Sequence, residues 1–369
     1  MKRRFQGLAI VTLASMVAAG CSLSGKANMQ ETVTINENVQ LESSLADSSL
    51  AVIHEKTIPL PIKADYTGFH GNNIYYNQNG GTYLINVETL VKSKLADKPF
   101  FALSENGNRA LSFFDEKIYV LDFETNTEKL IGHGDGTETY LYYFADAEGK
   151  EVIHVESGEE ITVQVIDVDT SEIATWDINN QFESDGFTLT SIKRDSDGIY
   201  VAAESLKNGY GLYHLDHSGK TKTVSSLENI ESLNTYDFIE PNKIIFNDIY
   251  KGKSGIFIMD LLTNEVTQLV AGGKDEEGIW VPFYKLSPDH SKILFDTPVQ
   301  VGKEYKTNVY MAELINNQLT NTVRIMENAD LYAVISATGF WSQDSKTAYI
   351  STTKPKNEFI DAIEVFTIQ

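Results

Sequence analysis

The stretch from Lys243 to Val270, KIIFNDIYKGKSGIFIMDLLTNEVTQLV, constrains this chain more than any other, because versions of it recur along most of the length. It reads as three short strands: Ile244–Phe246, then Ile256–Leu261 after a polar loop, then Val266–Val270 after the turn Thr263-Asn264-Glu265. β-Branched and aromatic residues fill each run and turn formers bound it, the pattern of strands on a pleated, half-buried surface. A leading strand, Tyr236–Ile239, precedes the unit before Glu240-Pro241-Asn242. Four antiparallel strands in about 45 residues match the period of a radial repeat, in which each sheet is one blade of a ring.

Seven stretches share this unit. Their first turns are Gly71-Asn72-Asn73, Glu105-Asn106-Gly107, Ala147-Glu148-Gly149, Asp195-Ser196-Asp197-Gly198, Glu240-Pro241-Asn242, Ser287-Pro288-Asp289 and Gln343-Asp344-Ser345. The strands that follow begin near Ile74, Ala110, Val152, Ile199, Ile244, Ile293 and Ala348, spaced by 36, 42, 47, 45, 49 and 55 residues. The spread falls in loops, where repeat proteins absorb insertions. In the third strands an acidic or amide residue recurs after the apolar run: Asn86, Asp122, Asp167, Asp216, Asp260 and Glu313. Short polar side chains at that place bond their own backbone and suit a tight turn.

The sequence therefore predicts an all-β fold, a seven-bladed β-propeller of four-stranded antiparallel blades over residues 50–369, with six blades as the alternative. The last unit ends at Gln369 after its third strand, and residues 50–60 (LAVIHEKTIPL) form a strand-like run with no other assignment. That N-terminal strand is expected to complete the last blade, because an open ring leaves unpaired edges and faces. The copies IYVLDFETNTEKLI and IFIMDLLTNEVTQLV resemble the WD-repeat-like units of the TolB family of propellers. The resemblance implies the fold and an envelope protein–protein role, and the fold itself serves many functions.

The N-terminus carries an address. Lys2, Arg3 and Arg4 precede an apolar run, Leu8 to Val17, and Ala18-Ala19-Gly20 lead into Cys21. This resembles the lipobox of bacterial lipoproteins, with Ala18 where Leu is usual. It implies a signal peptide over residues 1–20 and a diacylated Cys21 as the new N-terminus. Cys21 is the only cysteine, so no disulfide can form within the chain. Two acyl chains would anchor the protein stably to a membrane. Residues 21–49, polar and acidic, read as a flexible tether. Ser22 is not the Asp that favours retention in the inner membrane of a two-membrane host, so the outer membrane is open there. Removing residues 1–20 takes away three basic and no acidic residues, moving the formal charge from −22 to −25. No basic block offsets that charge, which argues against a nucleic-acid partner.

No local motif for catalysis stands out. The sequence holds no Gly-x-Ser-x-Gly elbow, no His-Glu-x-x-His and no phosphate-binding glycine loop, so no catalytic residue, metal or cofactor is assigned. His133 and Asp135 in GHGDGT could bind metal, but three glycines explain the stretch equally as an irregular loop. Asp195-Ser196-Asp197-Gly198 and Asp167-Val168-Asp169 read as turns, since a calcium loop needs further ligands at fixed spacing. His214 and His217 flank a hairpin turn and read as ordinary surface residues.

The loops between second and third strands lengthen along the chain and carry cations and aromatics. Lys207, Lys251, Lys253, Lys303, Lys306, Lys354 and Lys356 occur there with Tyr210, Tyr250, Tyr305 and Phe359, and Trp280 lies on a nearby connection between blades. Such residues suit a binding face for protein or glycan, with Trp280, Tyr250, Tyr305, Tyr210, Lys253 and Lys303 as its candidates. The expected function is a membrane-anchored extracytoplasmic lipoprotein whose propeller binds an envelope protein, a wall polymer or another ligand without catalysis. The alternatives are a propeller enzyme (hydrolase, lyase or lactonase) with a site at the central channel, and a sensor that sequesters a small molecule.

Overall fold

The computed structural model describes residues 50–61, 65–133, 142–157, 161–178, 187–205, 209–218, 220–233, 235–274, 278–329, 339–353 and 360–369. Cys21, Asp135, Lys207, Lys354, Lys356 and Phe359, all singled out above, lie outside these residues.

Seven four-stranded antiparallel sheets form the ring, in agreement with the seven repeats. The innermost strands of blades I to VII are Asp65–His70, Phe100–Leu103, Tyr142–Phe144, Phe187–Asp195, Tyr236–Glu240, Tyr284–Leu286 and Gly339–Trp341. In blades I to VI the chain then steps outward strand by strand. Blade VII differs. Its inner three strands come from the C-terminal end, and its outer strand is Val52–Pro59 from the N-terminal side.

That closing strand pairs with Ile360–Ile368 from Val52 opposite Ile368 to Pro59 opposite Ala362, with one irregularity between His54 and Lys56. Thr57 Oγ1 and His54 Nε2 both reach Glu364 Oε2, at 2.6 and 2.7 Å. Inside the strand, Ile58 is 1% exposed and packs with Phe69, Ile74, Tyr349 and Ile363, which belong to blades I and VII. One side chain thus ties first blade to last, as a closed ring requires. Among the described residues, every strand of the seven sheets lies between Val52 and Ile368.

The recurrent residue after each third strand organises the next turn. Asp122 Oδ1 accepts the N–H groups of Glu124 and Thr125 and the Thr125 hydroxyl, at 2.9–3.1 Å. Asn86 does the same for Glu88 and Thr89, and Asp260 for Leu262 and Thr263. Such donors favour the ionised form, and they hold Asp122, Asp167, Asp216 and Asp260 below the ordinary carboxylate value. Glu313 is longer and departs from the pattern, accepting a hydrogen bond from Asn321 instead, at 2.5 Å. At the tight end of blade II, Asp115 and Glu116 both take left-handed backbone, φ 53° and 57°, the geometry of a type I′ turn.

Adjacent blades are joined through their apolar faces and by a few long side chains. Arg194 of blade IV grips Glu151 of blade III with two nitrogens, at 2.9 and 3.2 Å. Arg109 of blade II spans Asp122 of its own blade and Asp169 of blade III, at 3.0 and 2.7 Å. Indole nitrogens do similar work: Trp176 donates to Asp216 O in blade IV and Trp341 to Lys285 O in blade VI.

Candidate functional site

The ring surrounds a channel. Because every blade presents its first strand there, strand register decides which side chains meet at one level. Tyr143 lies opposite Ile153, Lys193 opposite Tyr200, Asp237 opposite Ile245, Lys285 opposite Leu294 and Phe340 opposite Tyr349. Each partner is the third residue of the second strand of its blade. Gly68 opposite Tyr75 and Ala102 opposite Leu111 complete the layer. One residue per blade therefore stands at equivalent height: Gly68, Ala102, Tyr143, Lys193, Asp237, Lys285 and Phe340.

All but Gly68 line a cavity of 840 Å³ that reaches to the turns between first and second strands. A volume of this order accommodates a small ligand. The layer is two-sided. Blades IV, V and VI supply Lys193, Asp237 and Lys285; blades VII, I, II and III supply Phe340, Gly68, Ala102 and Tyr143. A Cβ on Gly68 would stand 2.8 Å from Leu103 Cδ1, so the glycine lets Leu103 of blade II lie across it as an apolar wall.

The charged arc is wired into the fold. Lys193 Nζ lies 3.3 Å from Asp237 Oδ1 and 5.6 Å from the centre of the Tyr236 ring. The Tyr284 hydroxyl is within hydrogen-bond reach of Asp237 Oδ2, 3.1 Å, and of Ile245 O, 2.9 Å. Burial pushes Asp237 up, but the ammonium groups of Lys193 and Lys285 and the donors Lys193 and Tyr284 prevail and hold it below its ordinary value. Tyr284 is pushed well up by its burial beside that carboxylate. Lys285 Nζ sits 5.7 Å from the centre of the Phe340 ring, and among the described residues its ammonium has no hydrogen bond or ion pair. Thr67 also lines the cavity, and its buried hydroxyl has no partner among the described residues.

The loop residues singled out in the sequence belong elsewhere. Strand order puts the loops between second and third strands, with the connections between blades, at one end of the ring, and the turns that border the cavity at the other. Trp280 is only 7% exposed, held on a short hairpin (Gly273–Lys274 with Ile279–Trp280) and packed edge-on against Phe283. The Tyr210 hydroxyl is spent on Ser232 O and on the Thr190 hydroxyl, and burial pushes its ionisation far up. Tyr250 is half-buried against Phe257, with Lys251 over its ring. Tyr305 is half-buried, and Lys253 and Lys303 are exposed. Trp280 and Tyr210 are packing residues here.

On blade IV the turn Asp195 to Gly198 meets His214. His214 Nε2 lies 3.3 Å from Asp197 Oδ1 and 3.6 Å from Asp195 Oδ2, a trio compatible with a protonated imidazole between carboxylates or with a cation. Asp195 Oδ1 is already engaged by the Ser196 N–H at 2.7 Å, which is the turn chemistry read from the sequence.

No family model matches the chain, and no curated protein matches it in sequence. Among solved structures, a chain from the crystal structure of a mitotic checkpoint complex is similar over 95% of this chain and 99% of its own, at 13% identity and a TM-score of 0.53. A chain of the dihydro-heme d1 dehydrogenase NirN in complex with DHE overlaps 79% of this chain and 63% of its own, at 14% identity and a TM-score of 0.47. At such identities the first likeness speaks to fold alone. With the seven closed sheets, it makes this chain a seven-bladed WD-repeat-like β-propeller.

Proposed function

We propose that this protein is a bacterial lipoprotein, acylated on Cys21 and tethered by residues 21–49 to the extracytoplasmic face of a membrane. Its propeller is a non-catalytic binding module, and the channel cavity is its binding site. The fold alone does not decide this, since propellers serve many roles. The observation that carries the reading is the state of Asp237, the one carboxylate of the channel layer. Two ammonium groups and a tyrosine hydroxyl hold it ionised and engaged, which makes it a poor proton donor and a weak base. A group in that state shapes and charges a pocket rather than exchanging protons with a substrate.

The test is fractionation of the source bacterium carrying wild-type or Cys21→Ala protein, with mass spectrometry of the N-terminal peptide and protease accessibility on intact cells. Wild type is expected in the membrane fraction, beginning at an acylated Cys21 and cleavable from outside. Cys21→Ala is expected to leave that fraction or remain unprocessed. A wild-type protein that keeps residues 1–20 in the cytoplasm overturns the proposal.

A further inference from the structure

The channel layer has a polarity that its seven positions make explicit. Going round the ring, Phe340 and Tyr143 stand on either side of the small pair Gly68 and Ala102, and the arc Lys193–Asp237–Lys285 closes the circle across from them. The small pair leaves room on one side, floored by Leu103, and two aromatic residues bound that room. Across the lumen the charges do not cancel. Asp237 is paired with Lys193 at 3.3 Å and also lies in the field of the Lys285 ammonium. That ammonium faces the cavity beside the Phe340 ring and, among the described residues, makes no hydrogen bond or ion pair, so the arc carries one net positive charge. On a chain of formal charge −22, an arc of net positive charge on a concave wall stands against the general field.

We infer that the channel binds a small amphiphilic organic anion, one acidic head on a compact apolar body. The inference rests on the channel being the binding site, as proposed above, and names the ligand class. The head lies against Lys285, with Lys193 and its partner Asp237 beside it. Asp237 repels a second negative charge, so a monoanion is preferred over a dianion. The body crosses the lumen to the gap over Gly68 and Ala102, between the Phe340 and Tyr143 rings and against Leu103. An ammonium–oxyanion contact is charge-assisted, and its loss weakens binding by about tenfold or more.

The experiment uses residues 50–369, the complete closed ring, and two fluorescent probes that share an apolar body. One is 8-anilinonaphthalene-1-sulfonate, an anion, and the other is N-phenyl-1-naphthylamine, which is neutral. Both are titrated into wild type, Lys285→Met and Ala102→Phe, each variant being checked for unchanged circular dichroism and melting temperature. The anion is expected to bind wild type saturably at one site and to bind Lys285→Met about tenfold or more weakly, while the neutral probe changes by less than about twofold. Ala102→Phe, which fills the gap, is expected to weaken both probes. If the neutral probe binds but the anion shows no dependence on Lys285, the ligand class is wrong and the channel remains a binding site. If neither probe binds wild type, or Ala102→Phe leaves both unaffected, the channel reading falls as well.

Discussion

Replacing Asp296 with Asn is expected to stabilise the protein strongly at pH 8 and much less at pH 5. Asp296 lies on the second strand of blade VI, fully buried, with Oδ1 accepting the Phe283 N–H at 2.8 Å. Burial away from water pushes its carboxyl from 3.8 up to about 7, against the pull of the Phe283 N–H. The folded protein thus keeps a proton there that the unfolded chain releases near pH 3.8. Stability from this site is complete below that value and drains away as pH rises through about 7. A shift of about three units at roughly 1.4 kcal/mol each puts the whole loss near 4 kcal/mol, of which about 3 falls between pH 5 and pH 8. Asn keeps the acceptor for Phe283 and carries no charge at any pH. The assay is urea or guanidinium unfolding of wild type and Asp296→Asn at both pH values, since the difference between them cancels every other titrating group. A gap of about 4 kcal/mol in favour of the variant at pH 8, shrinking by about 3 kcal/mol at pH 5, is the expected result. A variant no more stable than wild type at pH 8, or a gap independent of pH, refutes the reasoning. The site matters beyond stability, because Phe283 leads directly into Tyr284 and Lys285 of the channel wall.

Two further perturbations probe other parts of the ring. Ile58→Ala in the closing strand is expected to cost about 3 kcal/mol in chemical unfolding, whereas Ile53→Ala, 38% exposed on the same strand, should cost well under that; equal effects would mean that the strand does not pack as a closing element. At Asp289, burial opposes ionisation, but donors from Ser287 and Ser291 at 2.6–3.0 Å prevail and hold the carboxyl well below 3.8. Its contribution is present above pH 3.8 and lost as pH falls through the depressed value, so Asp289→Ala should melt earlier at pH 7 and approach wild type in strong acid. A melting difference that stays constant down to pH 2 would show that the carboxylate charge plays no part.

The architecture was legible because it is local and repeated. An Asp or Asn after a third strand must cap its turn, as Asp122 and Asp260 do, and it marks a blade wherever it recurs. The closing strand was legible by subtraction, since Val52–Pro59 had no blade of its own and the last unit lacked an outer strand. The channel layer was not legible, for a geometric reason. Its members precede the start of their second strands by five residues at Gly68 and Lys193 but by eight at Tyr143, because the intervening turns and bulges differ in length. No residue type repeats through all seven, so only pairing register brings Lys193, Asp237 and Lys285 to one level. The loop aromatics mislead for the opposite reason: Trp280 and Tyr210 sit among loop residues in sequence, yet a short hairpin and an inward hydroxyl turn them to packing.

The most direct test of the channel as a binding site is to ask what the protein carries when it leaves its own membrane. Full-length wild type and Lys285→Met would be purified from the source organism under identical mild conditions, and their bound small molecules extracted and quantified by mass spectrometry. The account predicts an organic anion in near-stoichiometric amount on wild type and depleted about tenfold or more on Lys285→Met. Equal amounts of the same compound on both proteins, or a retained compound that is neutral, would contradict it.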